Sequence, residues 1–181
     1  IAQSDVFVFL DDVLFSKGSY TNRVKVLANG EARWLSLPVK SKLGDRIDEV
    51  EPAKPNWRES HLSSIRNYYG KSPFFATVWP VLEEMILNAP ENNIAQINGA
   101  IVEAICNALS LECTFVSSSN LNTGELSGDD RLISLLTGIS PTATYLSGRG
   151  ADNYQDPDKY LAVGLGFRYS DFQHPDYPQS G

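Results

Sequence analysis

Cysteine is scarce in this chain: 181 residues hold only Cys106 and Cys113. Two thiols build no disulfide framework, and with only His61 and His174 beside them, none at ligand spacing, a Cys/His zinc site is excluded. Both cysteines read as reduced side chains of a cytoplasmic protein. Long apolar runs are missing as well. Every candidate is broken by Asp, Pro or Asn within about ten residues, against the roughly 18 to 20 that a membrane-spanning helix needs. Membrane insertion is therefore not expected, and the chain reads as soluble. Positive charge is in deficit, with 15 Lys+Arg against 22 Asp+Glu, a net charge of -7 and a pI near 4.8. That balance removes the electrostatic drive toward nucleic acid and anionic membrane surfaces, so neither is an expected partner. There is no P-loop, nucleophile elbow or metalloprotease helix. The opening Ile1-Ala2-Gln3-Ser4 has neither Met nor a basic and apolar leader; it reads as a trimmed start and not as a signal peptide.

What is present is the material of one domain. The length and a 42% hydrophobic content suffice to bury a core, so residues 1–181 are read as a single domain. Val6 to Leu10 is continuously apolar and stops at Asp11-Asp12, the pattern of a strand covered on both faces. Residues 16–22 read as a loop. Arg23 to Ala28 and Glu31 to Val39 flank Asn29-Gly30, which predicts a β-hairpin with a type I′ turn. Asn56, with Glu59 three residues on, predicts a helix start; Trp57, His61, Ile65 and Tyr68 then share one stripe until Gly70. A second helix opens at Ser72-Pro73 and should be kinked or divided by Pro80. A third keeps helical period from Asn93 to Leu109. Strand 112–116, helix 128–137 and strand 143–146 form the pattern of a βαβ unit, and 161–169 reads as a last strand. The fold class that follows is α/β: an open, mostly parallel Rossmann-like sheet with a β-hairpin and a helical middle segment.

In such sheets ligands bind beyond the carboxyl ends of the strands. Three strand ends carry polar clusters: Asp11-Asp12, Ser117-Ser118-Ser119 and Ser147-Gly148-Arg149-Gly150. If the strands run parallel, the clusters gather on one edge. The paired carboxylates suit a divalent cation bound with a substrate phosphate, or a general base; they equally suit a turn that caps its own backbone. Lys17, Asn22 and Arg23 in the next loop would complement an anionic ligand, or be a solvated loop. Ser117 and Ser118 can donate to an anion or make local turns. Gly148 and Gly150 lack the third glycine of a dinucleotide fingerprint and fit a tight turn, with Asp152 and Tyr154 as polar contacts. His61 is a candidate catalytic group, or an ordinary histidine on a helix face. No residue set forms a dedicated metal site and no cofactor is indicated with certainty; Mg2+ at the aspartates is the one ion the pattern would admit.

The wording of the chain also resembles a known family. Asp5-Val-Phe-Val-Phe-Leu-Asp-Asp12, Phe15-Ser-Lys-Gly-Ser-Tyr-Thr-Asn-Arg23 and Trp34-Leu-Ser-Leu-Pro-Val39 are similar to the signature of the WbqC-like family of bacterial proteins. Trp57 with His61-Leu62, Tyr69-Gly-Lys-Ser-Pro-Phe-Phe75, Ser117-Ser-Ser119, Arg131-Leu132, Tyr145-Leu-Ser-Gly148 with Gly150 and Tyr154, and Tyr177-Pro-Gln179 continue the likeness in order. The resemblance implies a place in O-antigen and other surface-polysaccharide biosynthesis, near pathways that attach amino-acid acyl groups to amino sugars. It also implies an upstream Met-Gln-Pro segment with a Gly-Tyr-Phe turn and a C-terminal apolar helix, so the chain is expected to lack both family ends. The leading expectation is a cytoplasmic transferase that acylates or aminoacylates the amine of a nucleotide-linked sugar. In it Asp11 or Asp12 deprotonates the ammonium or holds a metal, Lys17 and Arg23 meet phosphate, and Asn22, His61 and Tyr69 orient the substrate. The alternatives are Mg-dependent nucleotidyl transfer or hydrolysis at Asp11-Asp12, and a non-catalytic scaffold presenting an apolar patch around Trp57, Tyr68 and Trp79.

Overall fold

Asn29 and Gly30 both take positive φ, 54° and 77°, the conformation a two-residue hairpin turn demands. The turn joins β2 (Arg23–Ala28) to β3 (Glu31–Ser36) in antiparallel register, with Lys25 opposite Trp34 and Arg23 opposite Ser36. This computed structural model describes residues 1–151 and 153–177. Asp152, read as a polar contact, and Pro178-Gln179 of the Tyr-Pro-Gln motif lie outside the described residues.

The chain divides into two compact units, Ile1–Phe115, to which Tyr177 also belongs, and Val116–Asp176. Besides the hairpin, the first holds β1 (Val6–Phe9), β4 (Val39–Lys40) antiparallel to β5 (Glu51–Pro52), and helices α1 (Trp57–Tyr69), α2 (Phe75–Leu87) and α3 (Ile94–Ala108). Its core gathers Val50, Trp57, Trp79, Ile86, Ile94 and Ile97, all nearly closed to solvent. Trp57 and Trp79 are thus core residues and do not themselves form part of an exposed patch. Asn93 caps α3 as its side chain accepts from the Gln96 N–H at 3.0 Å. Asn56 at the start of α1 makes no such bond. Arg58 ties α1 to α2 instead: its guanidinium donates to the carbonyls of Ile86, Ala89 and Pro90 at 3.2, 2.6 and 2.9 Å, groups a helix C-terminus leaves without partners. Pro80 does not divide α2, which runs through it on an exposed face.

The second unit holds α4 (Gly128–Ile139), β7 (Thr144–Ser147), α5 (Pro157–Ala162) and β8 (Gly166–Tyr169). β7 and β8 pair in parallel, with Thr144 opposite Gly166. A Cβ at residue 166 would run into the Thr144 side chain, which accounts for glycine there. β6 (Thr114–Ser117) starts in the first unit, where the Thr114 N–H donates to the Asp5 carbonyl at 2.8 Å beside β1.

Three expectations need correction. The expected parallel unit of strand 112–116, helix 128–137 and strand 143–146 is replaced: the parallel neighbour of β7 is β8, reached through α5. Leu161 and Ala162 accordingly end a helix and do not open a strand, because Asp156 caps the Asp158 N–H at 3.1 Å with Pro157 in the first turn. The architecture is mixed α/β with five helices and small sheets among the described residues, the strands paired two by two and not joined into one open sheet. The apolar run of β1 follows from ring packing: its four residues are all half-buried, and Phe7, Phe9 and Phe115 stack or meet edge-on at 5.1 to 6.3 Å.

Candidate functional site

The segment after β1 turns at Asp11-Asp12 and runs against residues 45–48. The Asp48, Ile47 and Phe15 N–H groups donate to Asp11, Val13 and Asp45 carbonyls at 2.9, 3.0 and 2.8 Å. Asp11 is buried and Asp12 half-buried. The Arg46 guanidinium opposite is held above its ordinary pKa, chiefly by Asp48, which it meets at 2.9 and 3.1 Å, with lesser contributions from Glu49 and Asp12. Among the described residues no three His, Cys, Asp or Glu side chains gather as a metal-binding group. A divalent ion at Asp11-Asp12 would have to complete its shell with water and substrate phosphate.

Asn22 and Arg23 join the next loop to the hairpin. Asn22 exchanges bonds with Leu37: its Nδ2 donates to the Leu37 carbonyl at 3.0 Å and its own carbonyl accepts from the Leu37 N–H at 2.8 Å. Its Oδ1 is buried without a hydrogen-bond partner, as is Arg23 Nε. The Arg23 guanidinium donates to the Gly18 carbonyl and lies 4.0 Å over the Trp34 ring. Lys17, next to Gly18, is exposed. Arg23 is also the cross-strand partner of Ser36, and Ser36 lines a cleft of about 150 Å3 together with Leu35, Pro38, Trp57, Ser60 and His61. The structure thus brings Asn22, Arg23 and His61 to the open end of the hairpin.

His61 Nδ1 lies 3.0 Å from the Trp57 carbonyl one helical turn back. A carbonyl only accepts, so Nδ1 carries the proton and Nε2 keeps a lone pair. Burial holds the pKa of His61 below its ordinary value, with the Trp57 bond opposing more weakly. The imidazole is therefore neutral at neutral pH and able to accept a proton. Tyr69, on the same helix, is committed elsewhere: its hydroxyl accepts from the Leu27 N–H at 2.9 Å and fastens α1 to β2.

The second unit places its candidates in a different setting. Ser147 is buried and donates to Gln155 Oε1 at 2.5 Å and to the Gly148 carbonyl at 3.2 Å. Gly148 precedes a short 3-10 turn, Arg149–Ala151, and Gly150 lies within it; both are exposed, as is Tyr154. Ser117 ends β6, and Ser118 is buried at the start of a 3-10 turn.

Sequence reasoning passed over Tyr20, Lys25 and Trp34. The signal was available: counting outward from Asn29-Gly30 puts Arg23, Lys25, Trp34 and Ser36 on one face of the hairpin.

A sequence profile described as the WbqC-like protein family matches residues 1–181. The chain is also similar to the "Uncharacterized protein Rv1507c" of Mycobacterium tuberculosis, 24% identical over 182 residues that cover 99% of this chain and 78% of that protein. No solved structure matches it.

Proposed function

The chain belongs to the WbqC-like protein family, and from that premise we propose that it acts in surface-polysaccharide biosynthesis as a transferase that acylates the amine of a nucleotide-linked sugar. The observation that carries the reading is His61: neutral, its Nδ1 occupied by the Trp57 carbonyl, in a cleft at the open end of the hairpin. Acyl transfer to an amine needs such a group. The amine nitrogen attacks the acyl carbonyl carbon, the new C–N bond forms, and the bond to the donor's leaving group breaks. The nitrogen must also lose a proton, which Nε2 of His61 accepts and can return to the leaving group. Arg23, across the strand pair from Ser36 of the cleft, and Lys17 in the preceding loop supply positive charge for the substrate phosphates. Asn22 and Tyr69 act by fastening the loop and α1 to the hairpin. Asp11 and Asp12 are the second candidate base.

The test is product mass after incubation of the purified protein with a UDP-linked amino sugar and acyl-thioester or aminoacyl donors. N-acylated product is expected, with turnover about 10²- to 10⁴-fold lower in His61→Gln, the range of a general base. Because the histidine is shifted below 6.5, the acid limb of the kcat/KM profile should fall below that pH in the wild type and vanish in His61→Gln. An intact rate and acid limb in His61→Gln, with both lost in Asp12→Asn, would move the base to the carboxylates.

A further inference from the structure

One face of the hairpin carries Arg23, Lys25, Leu27, Ala32, Trp34 and Ser36, with no carboxylate among them. Trp34 is 41% exposed and Tyr20 67% exposed. Large aromatic rings left open to water are worth explaining when they meet: these two stand 5.2 Å apart at 62°, forming a corner. Two cations border it, the Arg23 guanidinium 4.0 Å and the Lys25 ammonium 5.4 Å from the Trp34 ring. Neither they nor Lys17 pair with a carboxylate among the described residues, in a chain whose net charge is -7. Two unneutralised cations at the Trp34 ring, with exposed Lys17 next to the Gly18 carbonyl that Arg23 holds, make a local positive field where the overall charge runs the other way.

The corner is also held in place. Asn98 of α3 donates to the Thr21 carbonyl at 2.8 Å, Asn22 is bonded to Leu37 on both sides of its residue, and Ser19 donates to Thr21 Oγ1 at 2.9 Å. Tyr20 lies within this tied loop, so little order has to be gained when a ligand arrives.

We propose that this face is a nucleoside-diphosphate subsite, with the base stacked in the Tyr20–Trp34 corner and the diphosphate met by Lys17, Lys25 and Arg23, the last of which also braces the indole. The inference deepens the reading of the substrate as a nucleotide-linked sugar and rests on it. A flat base matches the rings through stacking, which tolerates any base identity, and the diphosphate matches the cations. Ser36 belongs both to this face and to the lining of the His61 cleft. A nucleotide held on the hairpin therefore leaves its sugar to extend toward the histidine.

The experiment is calorimetric titration of the protein with UDP, uridine and inorganic pyrophosphate, with tryptophan fluorescence read in parallel. UDP should bind more tightly than either fragment, and more weakly as salt rises. Trp57 and Trp79 are buried, so any quenching by the base should come from Trp34 and be missing in Trp34→Ala. Trp34→Ala and Tyr20→Ala should each weaken UDP and uridine about tenfold, in the range of one base–aromatic contact. Lys25→Ala should weaken UDP and pyrophosphate and leave uridine unchanged. Circular dichroism of each variant checks that it is folded. UDP binding unchanged in all three variants would overturn the subsite while leaving a nucleotide-linked substrate in place. The predicted pattern without any acylation of a UDP-amino sugar would support the subsite and sink the acyl-transfer reading. No UDP binding by the wild type, or tighter binding of oligothymidylate than of UDP, would overturn the subsite outright.

Discussion

In the second unit, Tyr145 and Tyr160 stack at 5.5 Å, Phe167 meets both rings edge-on, and Tyr169 follows at 5.0 Å from Phe167. Every polar tip placed deep in that cluster has a partner: the Tyr160 hydroxyl donates to Asp129 Oδ1 at 3.0 Å, while Asp129 Oδ2 accepts from the Asp156 N–H at 3.0 Å. In the first unit the Tyr20–Trp34 pair has the same kind of side chains and none of that closure. Its rings are partly open to water, its cations have no carboxylate partner among the described residues, and Arg23 Nε is left without a hydrogen bond. Buried polar groups are ordinarily satisfied because an unmade hydrogen bond there is costly. The satisfied cluster is accounted for by stability alone. The open one is not.

The sharpest way to break this comparison is to empty the closed cluster. Tyr160 is wholly buried, so Tyr160→Ala removes a packed ring and should cost about 3–5 kcal/mol in denaturant unfolding. A cost below about 1 kcal/mol would show that the second unit is not organised around this ring.

Tyr160→Phe isolates the hydroxyl. It keeps the ring and leaves Asp129 with the Asp156 N–H, so a smaller loss of about 1–2 kcal/mol is expected at neutral pH. Burial, then the Asp129 bond and charge, raises the pKa of Tyr160 well above its ordinary value. The unfolded chain releases this proton near pH 10 while the folded chain still holds it, so wild-type stability should fall as pH rises above about 10. Tyr160→Phe should flatten that alkaline decline. An equally steep decline in the variant would assign it to other groups.

How much of this the sequence discloses differs between the two regions, for physical reasons. The hairpin is a local structure: Asn29-Gly30 admits positive φ at both positions, and once the turn is set, the opposition of Lys25 and Trp34 follows by counting. Helix α3 is equally legible, since its cap and its apolar period are both local. The parallel pairing of β7 with β8 is not, because it depends on which distant strand is met after α5, and the Asp156-Pro157 start signal sits inside a polar stretch. The site divides the same way. Arg23 and Asn22 are conspicuous as polar residues in the loop, but the packing of 11–15 against 45–48 joins segments with no shared local pattern. Nor does a sequence reveal that Tyr69 spends its hydroxyl on β2, or that His61 has one nitrogen occupied.

A smaller effect tests the His61 half of the open region. Burial lowers its pKa, so below about pH 6.5 the unfolded chain takes up a proton that the folded chain resists. Acidification therefore favours unfolding: stability present at neutral pH should decline as pH falls through 6.5 toward the folded value. His61→Gln should remove this part of the slope in urea midpoints measured between pH 7.5 and 5. An unchanged slope would mean that the ring is freely protonated and poorly placed as a neutral base.

The smallest expected effect on stability is the most informative about the open corner. Trp34 lies on the exposed face of the hairpin, and what it gives the fold is contact with Tyr20 and two cation–π contacts. Exposed contacts of that kind are worth about 0.5–1 kcal/mol. Trp34→Ser should therefore shift the unfolding midpoint only slightly, by far less than Tyr160→Ala. If the loss instead rivals that of Tyr160→Ala, the corner is a structural element of the hairpin and the contrast between the two clusters collapses. If the loss is small, the fold has left an indole in water that it does not need, and the reason for keeping it there has to be sought in what the ring binds.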